Sequence, residues 1–245
     1  MAEIRVDLLV YRRDQFSLEV DELVIRPGEK VALMGENGCG KSTLLGLLSG
    51  LLTPQSGTIE YGGRPLAQLG FPQRSTLFSL LSQSSDIAFP FTVAEVALMG
   101  RFAHLKGGQY SDEDRRQTRE LLALLDVLRY QDRGYGELSG GEQRRVMMAR
   151  VLNQATPIVY LDEPNSSLDV RHTLQIFSHL AQLEATVVTS VHDINLAHRH
   201  FDRFLFFKAG RLLHDVPRRD VTPQLLSEVY DVSVSLGTDS FSFRC

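Results

Sequence analysis

Nine consecutive residues, Gly35-Glu36-Asn37-Gly38-Cys39-Gly40-Lys41-Ser42-Thr43, constrain this chain more than any other stretch. They follow the short apolar run from Lys30 to Met34. They precede a helical pattern with Leu44, Leu45, Leu47, Leu48 and Leu51 on its apolar side. The spacing is G-x-x-x-x-G-K-[ST], set between a predicted strand and a predicted helix. Glycines let successive backbone N–H groups turn inward around phosphate oxygens, and the helix start adds partial positive charge. In that arrangement Lys41 bridges the β- and γ-phosphates, and the Ser42 hydroxyl can ligate Mg2+. The competing reading, a glycine-rich surface turn, is disfavoured by the strand and helix patterns on either side.

The remaining patterns belong to an α/β chain. Val6 to Tyr11 and Phe16 to Ile25 read as strands ahead of a Pro27-Gly28 turn, and Gly57 to Tyr61 reads as another strand closed by Gly62-Gly63. From Val93 to Tyr130 the helical period dominates. A capped start is expected at Ser111, and a break between two helices at Lys106-Gly107-Gly108. A helix follows Gly140-Gly141, a strand spans Ile158 to Leu161, a helix Thr173 to Leu183, and a strand Thr186 to Val191. Arg203 to Phe207 and Arg211 to His214 resemble a hairpin turned at Ala209-Gly210. Strand, helix, strand in this order implies right-handed crossovers and a mainly parallel sheet.

Composition narrows the function. The 245 residues carry 30 acidic and 26 basic side chains, a formal net charge of −4, which argues against binding to nucleic acid or anionic lipid by bulk charge. Two cysteines, Cys39 and Cys245, exclude a disulfide framework and a four-cysteine zinc site. No apolar run approaches the ~20 residues of a membrane helix, and the N-terminus lacks a signal-peptide pattern, so a cytoplasmic chain is expected.

Two further segments carry chemistry. Asp162 and Glu163 end the apolar run that begins at Ile158. There Asp162 can reach Mg2+ through water, and Glu163 can orient or deprotonate an attacking water. Leu138-Ser139-Gly140-Gly141-Glu142-Gln143 offers a second helix start with free N–H groups and a hydroxyl for phosphate. One nucleotide seldom needs both helix starts from the same subunit.

That combination resembles the ATP-binding cassette family, the ATPases of ABC transporters, and Leu138 to Gln143 matches the family's signature motif. The resemblance covers essentially the whole chain. It implies a single P-loop NTPase cassette with an N-terminal antiparallel β subdomain. Residues 1–84 and 141–245 would form a RecA-like core with that subdomain, and 85–140 an inserted α-helical signature subdomain. It implies ATP and Mg2+ as cofactors and a head-to-tail homodimer, in which Ser139, Gly140, Gly141 and Glu142 of one subunit close over ATP on the loop of the other. Gln83 matches the glutamine loop, a Mg2+ ligand with Ser42 and Asp162. Asp169, in Ser167-Leu168-Asp169, matches the loop crossing the dimer interface, and His192 the switch histidine that contacts the γ-phosphate. Adenine would stack on Tyr11, the better match by distance, with Phe16 as competitor. Asn165 and Cys39 depart from the residues commoner at their positions. Cys39 reads either as a small side chain that fits or as a thiol made reactive by Lys41 and the helix start.

Phe91 to Leu105, Ser111 to Arg115 and Val221 to Val232 resemble cassettes of importers for iron–siderophore complexes, haem and vitamin B12. The resemblance implies two copies of a separate permease and an extracytoplasmic substrate-binding protein. The chain would sit at the cytoplasmic face of the cell membrane, with no nucleic-acid partner. Import of another metal or an oxyanion such as molybdate, and a non-transport ATPase on nucleic acid or ribosomes, are the alternatives.

Overall fold

The computed structural model describes residues 2–83, 87, 89–105, 107–238 and 240–244. The expected boundary at 84–85, the Lys106 part of the helix break, and Cys245 lie outside the described residues. In chain order the first elements are β1 (Ile4–Arg13), β2 (Phe16–Ile25), β3 (Lys30–Met34), α1 (Lys41–Leu48), β4 (Ser56–Tyr61) and β5 (Arg64–Pro65). Then come α2 (Phe71–Leu77), β6 (Phe78–Leu81), α3 (Val93–Leu98), α4 (Asp112–Leu124), α5 (Gly140–Asn153), β7 (Ile158–Leu161) and α6 (Val170–Gln182). The chain continues through β8 (Thr186–Ser190), α7 (Ile194–His200), β9 (Arg203–Lys208), β10 (Arg211–Pro217), α8 (Pro223–Tyr230), β11 (Ser233–Leu236) and β12 (Phe241–Arg244). These elements fall into two compact units, Met1–Leu69 with Glu184–Cys245, and Gly70–Leu183.

In the first unit the strand order is β5-β4-β1-β2-β10-β9-β3-β8. The N-terminal strands pair antiparallel, β1 with both β2 and β4, whereas β3 runs parallel to β8 and β9. All five residues of β3 and of β8 are buried, so neither strand shows the in-and-out alternation of a sheet with one wet face. Leu44, Leu45, Leu47 and Leu48 bury the apolar side of α1, and the Tyr61 hydroxyl donates to the Leu48 carbonyl at 2.5 Å. The Gly62-Gly63 turn joins β4 to β5, pairing Tyr61 with Arg64.

In the second unit β6 and β7 are parallel neighbours, and α5 packs against α3 and α4. Asn153, at the buried end of α5, donates to the Ala97 carbonyl (2.9 Å) and the Thr118 hydroxyl (2.7 Å), tying the three helices together. The helical stretch from Val93 is broken where the period alone suggested continuity. A 3-10 segment, Met99–His104, follows α3, and within it Gly100 lies too close to the Arg150 carbonyl for any side chain. Ser111 starts α4 as expected: its hydroxyl accepts from Asp114 N–H, and the Asp114 carboxylate returns to Ser111 N–H at 2.9 Å. Helix α6 begins at Val170 rather than Thr173, because the Asp169 carboxylate caps it through His172 N–H at 2.9 Å.

Candidate nucleotide-binding site

The first unit supplies the phosphate loop. Between β3 and α1 the backbone takes positive φ at Gly35 (133°), Gly38 (77°) and Gly40 (118°). Space is also short at two of these positions, against backbone at Gly35 and against a side-chain end at Gly40. A Cβ on Gly35 would run into the Phe207 carbonyl, and one on Gly40 would lie 2.7 Å from Leu18 Cδ1. Helix α1 has neither a side-chain cap nor an acidic residue in its first turn. Its first N–H groups are therefore left for an anion, with Ser42 exposed beside them. Lys41 is buried, its ammonium donating to the carbonyls of Gly35 (2.7 Å) and Glu36 (2.9 Å) and lying 3.8 Å from Cys39 Sγ. Glu36, Asn37, Gly38 and Thr43 complete the loop, and Cys39 is buried inside it.

His192 reaches the same edge of the sheet. Leu33 pairs with Ser190 in parallel register, and Val191 N–H donates to the Leu33 carbonyl at 3.1 Å. Gly35 and His192 thus each stand two residues beyond a paired position, His192 with an exposed side chain. Asp193 caps α7 through Asn195 N–H (2.9 Å) and Leu196 N–H (3.0 Å). Tyr11 and Phe16 both line a hollow of about 350 Å³ that also includes Thr43 and Leu52, so the two aromatic candidates share one surface.

Sequence reasoning missed a brace from the C-terminal helix. Burial pushes the Tyr230 hydroxyl up to about 12, against the opposing effect of its hydrogen bond to the Gly35 backbone. Lys208 holds this end of α8, donating to the Glu228 carbonyl and to Asp231, both at 2.7 Å. The tail Val221–Val232 carried a family resemblance, but nothing local to it pointed at Gly35.

The second unit brings together the other strand-end residues. Leu81 pairs with Leu161 in parallel register, and Asp162 N–H donates to the Leu81 carbonyl at 2.8 Å. Gln83 and Glu163 each leave a strand end two residues past that pair. Gln83 is exposed, Asp162 is buried, and Glu163 takes φ 47°. Arg144, on the buried side of α5, donates to the carbonyls of Ser82 (2.7 Å), Asp162 and Glu163 (2.9 Å). Its place in the helical pattern next to Arg145 carried no sequence signal for this contact.

The signature segment forms a closed capping box. The Ser139 hydroxyl accepts from Glu142 N–H (3.4 Å) and donates to Glu142 Oε2 (2.7 Å), which also takes Ser139 N–H at 2.9 Å. Hydrogen bonds from Ser139 and from Tyr130 lower the Glu142 carboxyl to about 2. Gly140 opens α5, and a side chain on Gly141 would come within 2.6 Å of the Ser167 carbonyl, so the signature glycine lies against the segment leading to Asp169. Asp169 holds the His172 ring at 2.8 Å, and Nε2 of that ring lies 3.4 Å from Asp126. Asn165 takes part in the turn, its carbonyl accepting from Leu168 N–H at 3.2 Å.

Each unit, taken by itself, offers oxygen donors of the kind Mg2+ takes, Ser42 in the first and Gln83 and Asp162 in the second. Ser42, Gln83 and Asp162 offer hard oxygen ligands: a hydroxyl, an amide carbonyl and a carboxylate. Among the described residues there is no group of three or more His, Cys, Asp or Glu able to hold a metal by themselves.

The phosphate loop, strand-end acids and signature box define a nucleotide-hydrolysing cassette. The chain belongs to the ABC transporter family, whose pattern matches residues 18–166, and it is an ATPase of that family. It is similar to the hemin import ATP-binding protein of Streptomyces coelicolor, 40% identical over 219 residues that cover 88% of this chain and 78% of that protein. It is 38% identical over 221 residues to the cobalamin import ATP-binding protein of Halobacterium salinarum, covering 88% of this chain but only 55% of that longer protein. Among solved structures it resembles a bacterial ABC transporter cassette determined as a dimer. That match has 27% identity and a TM-score of 0.79, over 89% of this chain and 100% of that one. No described helix is long and apolar enough to cross a membrane.

Proposed function

We propose that this chain is the ATP-hydrolysing subunit of an importer for a metal chelate of the iron–siderophore, haem or cobalamin type. The observation that carries this reading is the 40% identity to a hemin import ATPase over 88% of the chain. As one cassette it would act as a head-to-tail homodimer on two copies of a permease, at the cytoplasmic face of the membrane. An extracytoplasmic binding protein would deliver the substrate.

In this reading the amides of Gly35 to Thr43 and the Lys41 ammonium bind the β- and γ-phosphates. Tyr11 or Phe16 stacks on adenine. Ser42, Gln83 and Asp162 hold Mg2+, which when bound draws charge from the phosphates. Glu163 accepts a proton from the attacking water, and His192 contacts the γ-phosphate at the sheet edge it shares with the loop. Ser139, Gly140, Gly141 and Glu142 of the second subunit close over the nucleotide, and Asp169 lies at the interface between subunits. Release after hydrolysis relaxes that closure and drives the permease.

The test is to purify the chain with the permease it binds, reconstitute the complex in lipid vesicles with its binding protein, and measure ATP hydrolysis. Hemin, a ferric siderophore or cobalamin is expected to stimulate turnover. Stimulation by molybdate instead would move the substrate to the oxyanions. Turnover that requires RNA or ribosomes and no permease would overturn the transport role.

A further inference from the structure

We propose that Arg144 is a positioning residue for hydrolysis: its guanidinium fixes the backbone of Glu163 and ties it to the glutamine loop. The proposal rests on the reading of Glu163 as the base. The first observation is the contact geometry. Nη1 donates to the Ser82 carbonyl at 2.7 Å and faces the Gln83 carbonyl at 3.5 Å, while Nη2 donates to the carbonyls of Asp162 and Glu163. One planar fork therefore clamps the two strand ends from which Gln83 and Glu163 emerge, a span that a single ammonium cannot reproduce.

The second observation is conformational. Glu163 has φ 47°, in the left-handed region that side chains other than glycine avoid. Such a conformation persists where neighbours over-determine it, and a charge-assisted bond to the Glu163 carbonyl at 2.9 Å supplies that constraint. The same carbonyl also accepts from Ser166 N–H at 3.1 Å, a second bond that fixes the turn after Glu163.

A third observation separates this arginine from an ordinary core residue. Arg144 is buried, and its Nε, also buried, has no hydrogen-bond acceptor among the described residues. Packing alone would favour an apolar side chain over a cation with an unmatched donor. Because Arg144 sits two residues after Glu142 on α5, the clamp also joins the signature helix to the acidic strand end.

The experiment compares Arg144→Gln and Arg144→Lys with the unaltered protein, measuring binding of a fluorescent ATP analogue, KM for ATP and kcat. Arg144→Gln is expected to lower kcat about 10²-fold while KM and analogue binding stay within about threefold, and Arg144→Lys to recover only part of the rate. Should Arg144→Gln fail to fold, the lysine variant carries the test. In single turnovers with enzyme in excess, Arg144→Gln combined with Glu163→Gln should be no slower than Glu163→Gln alone, since both act on one carboxylate. A kcat within about threefold of the unaltered protein in the folded variants, or a further large loss in the double variant, would overturn the proposal. Full turnover by Glu163→Gln would instead remove the base assignment. Loss there with activity kept in Arg144→Gln would remove the clamp alone.

Discussion

Ser139→Ala tests the signature helix start most directly. The substitution deletes two contacts of one hydroxyl, the bond from Glu142 N–H at 3.4 Å and the bond to Glu142 Oε2 at 2.7 Å, and leaves the Ser139 N–H bond at 2.9 Å. A carboxyl lowered from 4.5 to about 2 corresponds, at roughly 1.36 kcal/mol per pH unit, to at most about 3 kcal/mol for all of its partners together. Ser139 is exposed and Glu142 half-buried, so solvent screens much of this. The hydroxyl's share is about 1 kcal/mol, the usual worth of a cap. For a chain of this size that lowers Tm by about 2–4 °C at pH 7.

The pH dependence gives the argument its sign. A carboxyl depressed in the folded state contributes its full stability above its unfolded value of 4.5, and loses it as pH falls toward about 2. Thermal melts of both proteins between pH 7 and pH 3.5 should therefore show a gap that is constant down to about pH 5 and then narrows. A gap that stays constant or widens over the acid range would refute the reasoning. Ser139→Gly separates stability from chemistry, because glycine is tolerated at an N-cap at a cost of only a few tenths of a kcal/mol. If the hydroxyl also meets phosphate, Ser139→Gly loses turnover with Tm nearly unchanged.

Two further perturbations follow from single contacts. Asp114→Asn weakens a buried pair, Arg101 Nε to Asp114 Oδ1 at 2.7 Å, whose side chains are only 11% and 8% exposed. It should cost about 2–3 kcal/mol and some 4–12 °C in Tm, and a melt shifted by less than about 1 °C would count against the pair. Cys39 Sγ is buried beside Lys41, so a small maleimide should inactivate ATP hydrolysis slowly, with nucleotide slowing it further. Unchanged inactivation of Cys39→Ser would assign the effect to another group.

What was legible in the sequence is what short-range chemistry determines. The loop glycines, the cap at Ser111, the helix start after Ser139, and the apolar runs of β3 and β7 each announce themselves within a few residues. Others depended on distant contacts. Phe71–Leu77 and Phe78–Leu81, a helix running directly into a strand, show no separating turn signal, and β6 is recognisable only through its pairing with Ile158–Leu161. The need for glycine at position 100 comes from the Arg150 carbonyl, which lies 50 positions later in the chain. Tyr230 and Arg144 were invisible as site residues for the same reason, since their partners are backbone atoms remote in sequence.

The same contrast explains how the site's groups are held. In each unit two parallel neighbours end in step, β3 with β8 and β6 with β7, and chemistry-bearing side chains emerge two residues beyond the last pair. The placement of ligands beyond the carboxyl ends of parallel strands follows from that register, because those ends direct their loops outward together. Register alone places a backbone only to within the freedom of the next two residues. At the phosphate loop that freedom is removed by Lys41 on its own loop carbonyls and by Tyr230 on Gly35; at the acidic strand end it is removed by Arg144 on Asp162 and Glu163. Both ends thus receive long polar side chains that bond to main chain. Substituting a loop residue changes the group that meets nucleotide, whereas substituting one of these braces changes where an unaltered group points.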